Sequence, residues 1–320
     1  MSPYRILVAA IVAVMLVAVA PEASGKGVTP ITTCGQTVTT SAVLIQDLAC
    51  PGSNGVVAGA AGITIDLNGF QITGDRTINT VGVYVPGFSG VTVKNGVVRN
   101  FWDGIIVGNT VKLLNVTAVG NNGVGIAVAN GDSLSNVTGF ANTYGIYVTG
   151  NGTKISSSSA IRNTNLGIAV EGNGVSIKSS SALGNGYGIG ISGNGNAVTS
   201  STANSNLFHG IDIDGDGNTV TKATARANGV DGIHLRGGSN AVSSSDASEN
   251  TSNGIHTNGN GPTINHNRTV ANGITGSGAS AAFDLVGNGI LAENYTGSPL
   301  GKNTSFANDD PTECNPTYLC

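Results

Sequence analysis

The chain has 320 residues, of which 49 are glycine, 10% are charged and only 5% are aromatic. With 14 Lys and Arg against 18 Asp and Glu, the formal charge is −4 and there is no basic block, so nucleic-acid binding has little electrostatic support. No stretch beyond residue 25 carries a long apolar helical period, which argues against a helical protein and for many short strands joined by tight turns.

At the N-terminus, Arg5 precedes the apolar run Ile6–Ala20, and small residues stand at Ala18, Ala20, Ala23 and Gly25. The run is shorter than the ~20 residues of a membrane helix, so residues 1–25 are expected to be a cleaved signal peptide. The mature chain is then expected to be secreted, periplasmic or at a cell surface, with no membrane segment. Residues 26–60, holding Cys34 and Cys50, are expected to cap the N-terminal end of the body.

Residues 61–295 repeat. Gly-Ile pairs place Ile at 105, 126, 146, 168, 189, 211, 233 and 255, at intervals of 20 to 22 residues. A second apolar column runs Leu113, Leu134, Ile155, Ile177, Val198, Val220, Val242 and Ile264. An asparagine column follows it eight residues later: Asn121, Asn142, Asn163, Asn185, Asn206, Asn228, Asn250 and Asn272. One such unit cannot bury its apolar face alone, but stacked coils share a continuous core. Each coil is expected to bring two or three short strands, paired in parallel with its neighbours at ~4.8 Å. Ile and Val then point inward, Asn sits at bends in left-handed backbone or amide ladders, and Gly serves the other bends.

The rhythm breaks after Ile255. The next comparable strand is expected at Ala282–Val286, with residues 272–281 forming a loop. Residues 296–320, with Cys314 and Cys320, are expected to form a C-terminal cap or tail. In a linear stack the eight Gly-Ile coils hold the ends about 35 Å apart, while bridged Cα atoms must lie within about 7 Å. The expected disulfides are therefore local: Cys34 with Cys50, and Cys314 with Cys320.

The repeats GIAV, GIYV, GIGI, GIDI and GIHL with their GN-type turns, together with ITIDLNGFQITG at Ile63–Gly74, resemble the right-handed parallel β-helix of pectate lyases, mannuronan epimerases and related exported proteins. The resemblance covers roughly residues 40–295. It implies the handedness, an all-β single-stranded solenoid of coils of about 22 residues, and a pectate-lyase-like superfamily whose members serve many functions. The string HGIDID is loosely similar to the Tyr-Gly-Phe/Ile-Asp-Pro-His-Asp motif of mannuronan epimerases. Asp212 matches its first Asp, but His209 replaces the Tyr, Ile213 the Pro and Asp214 the His. The motif histidine's role does not carry over to position 214. A polygalacturonase-type hydrolase is disfavoured because its signatures are missing as a set.

Strand alternation sends the second and fourth residues of each Gly-Ile strand outward. The second position reads Ile106, Ala127, Tyr147, Ala169, Gly190, Asp212, His234, His256, and the fourth ends in Asp214, Arg236 and Asn258. Small or neutral groups give way to Asp, His and Arg over three coils. The expected site is an outward patch of Asp212, Asp214, His234, Arg236 and His256.

Its composition suits an acidic polysaccharide. Arg236 can pair a sugar carboxylate, His234 or His256 can exchange the neighbouring proton, and Asp212 or Asp214 can orient a histidine. This is uronan lyase- or epimerase-like chemistry; the alternative is a non-catalytic structural or adhesive solenoid. Tyr144, Tyr147 and Tyr187, with His209 and Asp231, are candidate substrate contacts. Asp212, Asp214 and Asp216 before Gly217 also fit a D-x-D-x-D-G calcium loop, although Ala223 stands where an EF-hand has its closing Glu. Asp216 additionally aligns with a turn position held elsewhere by Asn or Gly. The expected partner is a polysaccharide, and the expected state a monomer.

Overall fold

The coil at residues 144–161 shows how the composition makes the structure. Tyr144–Val148, Lys154–Ser156 and Ser159–Ile161 are its three strands, separated by bends at Gly152 (φ 67°), Ser157 (φ 49°) and Arg162 (φ 54°). The next coil lies on top in parallel, with Ile146 beside Ile168, Ile155 beside Ile177 and Ala160 beside Ala182. Repetition of this unit builds the computed structural model, which describes residues 28–273, 289–292, 303–306 and 314–315. Every regular element among the described residues is a strand. The expected signal peptide lies outside them.

Three faces result. The Gly-Ile strands form one sheet of 13 strands. Most strands of the other two faces are joined into one 18-stranded sheet, because Thr92–Arg99 and Lys112–Val119 each run through both faces, while Arg268–Val270 pairs with Thr304–Phe306 as a separate two-stranded sheet. Inside lie the stacked columns: Ile105, Ile126, Ile146, Ile168, Ile189, Ile211, Ile233, Ile255 and Ile290 are fully buried. Each such side chain stabilises the fold by about 1.5–3 kcal/mol.

The asparagine column is a buried ladder. Asn206 is typical: its Oδ1 accepts the backbone N–H of Asn185 at 2.9 Å and the Asn185 amide at 3.2 Å. Its own amide donates to Asn228 Oδ1 at 3.0 Å and to the Ala182 carbonyl at 3.3 Å. The expectation of left-handed asparagines at this column needs correction: the positive φ belongs to the residue before each, such as Ala141, Ser205 and Ala227. The Gly-Ile glycines also differ from expectation. Gly210 has no positive φ; a Cβ there would meet Asn228 Nδ2 at 2.6 Å and the Gly232 carbonyl at 2.7 Å. The column is glycine because the ladder presses against it.

The stack begins early. Thr29–Ile31 already pairs in parallel with Ala42–Leu44, and Gln36–Val38 with Val56–Ala58. The Cys34–Cys50 disulfide, with Cα atoms 5.4 Å apart, ties these first strands together. The Cys314–Cys320 pairing lies outside the described residues, as do Ala282–Val286. The strand that continues the 13-stranded sheet after Ile255–Thr257 is Ile290–Ala292, where Gly289-Ile290 restores the pair, and Cys314–Asn315 follows it.

Candidate functional site

The strands Tyr187–Ser192, Ile211–Asp214, Ile233–Arg236 and Ile255–Thr257 stack without a shift of register. Gly190 lies beside Asp212, Asp212 beside His234, His234 beside His256, and Asp214 beside Arg236. With Ile211, Ile213, Ile233, Leu235 and Ile255 locked in the core, alternation sends the polar residues between them to the outer face. The structure thus brings Asp212, Asp214, His234, Arg236 and His256 to one face.

The row faces outward but is largely covered by its own neighbours. Coil spacing puts the His234 ring 4.8 Å from that of His209 and 4.7 Å from that of His256, so the neighbours cover both of its faces. His234 is only 7% exposed. Asp231, a candidate substrate contact, is buried at 2% exposed. Its Oδ1 accepts the Asn253 backbone N–H at 2.9 Å and the Asn253 amide at 2.8 Å, while Oδ2 lies 3.2 Å from His256 Nδ1. Burial alone would raise the Asp231 carboxyl, but the hydrogen bonds from His256 and Asn253 and the His256 charge bring it down to about 2.

His209 behaves differently. Burial pushes its imidazole below the usual range, and its Nδ1 accepts the Asp231 backbone N–H at 3.3 Å. That bond places the proton of the neutral ring on Nε2, so the 3.5 Å approach of the Asp231 carboxylate to Nδ1 is a contact and not an ion pair.

Asp212 links the histidines to the arginine. Its Oδ2 accepts from Arg236 Nη2 at 3.0 Å, and its Oδ1 stands 3.1 Å from His234 Nδ1 without the alignment of a hydrogen bond. Burial would raise Asp212, but His234 and the Arg236 guanidinium hold it below the usual carboxylate range. Arg236, 41% exposed in its side chain, also lies 3.7 Å from the solvent-exposed Asp214.

Beside this cluster is a groove of about 170 Å³ lined by Tyr144, Tyr147, Glu171, Ser192, Asp212 and Arg236, among others. Tyr144 and Tyr147 stack with ring centres 5.6 Å apart, and Asn165 donates to the Tyr144 hydroxyl at 2.9 Å. Burial and a hydrogen bond with Glu171 push Tyr147 up to about 12, so it is no base near neutral pH. Tyr187 lies outside this groove's lining and packs on Phe208 at 4.8 Å and on His209 at 5.9 Å. Glu171 lines the groove and Asn253 bonds Asp231; the register read from the sequence places both in its columns, the fourth and the one before each glycine, without marking either as a site residue.

The three aspartates of the calcium-loop reading do not gather. Asp216 Oδ1 accepts the Gly238 backbone N–H at 2.6 Å in the bend, and Asp214 turns to Arg236. Asp212 alone faces the histidines.

These features define a class: an all-β parallel solenoid with a polar groove on its Gly-Ile face. Residues 124–273 match the family model described as "Right handed beta helix region", so this part of the chain is a right-handed β-helix. No curated protein matches the chain. In fold it is similar to solved carbohydrate-active enzymes. One is a mannuronan C-5 epimerase A-module of Azotobacter vinelandii, at 16% identity and TM-score 0.49, covering 87% of this chain and 88% of that one. A second is the pectate lyase Pel9A, at 16% identity and TM-score 0.39, covering 83% and 72%. A third is a GH87 α-1,3-glucanase catalytic domain in complex with tetrasaccharides, at 12% identity and TM-score 0.43, covering 90% of this chain and 64% of that one.

Proposed function

We propose that the protein is exported and binds an acidic polysaccharide along the Gly-Ile face. The observation that carries this reading is the groove in which the stacked Tyr144 and Tyr147 rings and the Arg236 guanidinium border one another. Flat aromatic faces suit sugar rings, and a half-exposed guanidinium suits a carboxylate. Glu171 and Asp214 repel a polyanion that strays from Arg236, which favours one register of the chain on the protein.

One geometry favours proton transfer at the same face. Asp231 holds His256 through a 3.2 Å contact, an orienting carboxylate on a partly exposed imidazole. In a uronan lyase or epimerase reaction, Arg236 would neutralise the sugar carboxylate and His256 would take the proton beside it. His234, covered on both faces, is poorly placed for that step.

Titration of the purified protein with oligomers of alginate and pectate tests binding, and ultraviolet absorbance of unsaturated products or solvent-proton exchange at the sugar tests chemistry. Saturable binding of a uronate oligomer is expected, with Arg236→Ala weakening it roughly tenfold to a hundredfold. No binding of any uronate, or binding indifferent to Arg236→Ala, would leave the non-catalytic solenoid as the better reading.

A further inference from the structure

The stacked histidines carry an unmet demand that a sugar does not answer. His234 is more than nine-tenths buried, and neither ring nitrogen has a hydrogen-bond partner. Asp212 Oδ1 is likewise buried and without a hydrogen bond, and it stands 3.1 Å from His234 Nδ1. A protonated His234 ring can answer Asp212 Oδ1 as an ion pair through Nδ1, but Nε2 is then still without a partner, which is costly for a buried nitrogen unless something binds at the cluster.

We propose that His209, Asp212 and His234 bind a divalent first-row transition-metal ion. One ligand atom from each of the three lies within 4.8 Å of the others. The 3.1 Å separation of His234 Nδ1 and Asp212 Oδ1 is close to the ligand–ligand edge, about 3.3 Å, of a tetrahedral site with bonds of ~2.0–2.1 Å. His209 lies within 4.8 Å of the other two ligand atoms and has to turn toward them, giving up the bond from the Asp231 backbone N–H if Nδ1 is the ligand. Arg236, bonded to the other oxygen of Asp212, is then the outer partner that orients a ligating carboxylate.

The donor set decides the class of ion. Two imidazoles and one carboxylate suit zinc and its neighbours, whereas calcium and magnesium take oxygen donors. The second cluster on this face, Asp231, His234 and His256, is a weaker candidate because Asp231 already accepts from Asn253 and His256.

The test uses the disulfide-bonded mature protein, stripped with a chelator and titrated with zinc(II) by calorimetry, and with cobalt(II) by visible absorption. One ion per chain is expected, with cobalt absorption bands of a nitrogen-ligated site and a rise in the unfolding temperature on adding zinc. Asp212→Asn and His234→Ala should each weaken zinc at least tenfold, while His266→Ala, at a bend of the opposite sheet, should not. Circular dichroism checks that each variant is folded, and Asp212→Asn, which keeps the side-chain volume, serves if His234→Ala is not. Absence of saturable zinc binding, or equal affinity in Asp212→Asn and wild type, would overturn the proposal.

Discussion

The coils at residues 124–192 and those at 209–258 share one sheet and the same buried columns, and differ in their outward column and in the third strand, which the later coils keep only as isolated bridges at Thr224 and Asp246. Ile168, Ile189, Ile211 and Ile233 continue the core without a step, and the ladder from Asn163 through Asn185 and Asn206 to Asn228 crosses the boundary unbroken. Outward, Ala127, Ala169 and Gly190 give way to Asp212, His234 and His256. The invariant columns carry the fold, and the column that varies is free to carry chemistry. Such a division follows from the solenoid itself, where each coil touches only its neighbours and a change on the outer face disturbs no distant packing.

The sharpest way to break that division is to attack an invariant column. Asn206→Ala strands the Asn185 backbone N–H in the interior and takes one bond each from the Asn185 and Asn228 side-chain amides, and should cost about 2–3 kcal/mol in chemical denaturation. Asp214→Ala, at a side chain 64% exposed on the varied face, should change stability by no more than about 0.5 kcal/mol. Comparable losses from the two would deny the distinction.

A smaller effect is expected on the opposite sheet, where Asp246 is held between Arg226 and Arg268. Burial would raise Asp246, but the bonds from Arg226 and Ser248 and the two arginine charges depress it below its usual value. A carboxylate depressed in the folded state contributes stability that is complete above its unfolded pKa and is lost as pH falls through the folded one. Asp246→Asn should therefore lower the unfolding temperature near neutral pH, and the gap from wild type should narrow as the pH falls below the usual carboxylate range. A gap that does not change with pH would place the Asp246 contribution outside electrostatics.

Much of this was legible in the sequence because the period fixed register. The Gly-Ile spacing alone set Asp212 beside His234 and His234 beside His256. Burial was not legible, since it arises from ring faces meeting across adjacent coils, and alternation speaks only of direction. The asparagine column announced a ladder through its constant offset, but not that the left-handed bend falls one residue earlier. Ile290–Ala292 was missed because the long insertion after Ile255 hid a Gly-Ile pair that the stack restores.

The division between fold and site is tested most directly by erasing the site while keeping the coils. Asp212→Ala, Asp231→Leu, His234→Ala, Arg236→Ser and His256→Ala together give these coils the outward residues of earlier ones, and remove the charged partners jointly so that none is left buried and unpaired. Uronate titration and thermal unfolding of this variant should show binding abolished and the cooperative β-sheet transition retained within a few degrees of wild type. Retained uronate binding, or a chain that no longer folds, would contradict the account.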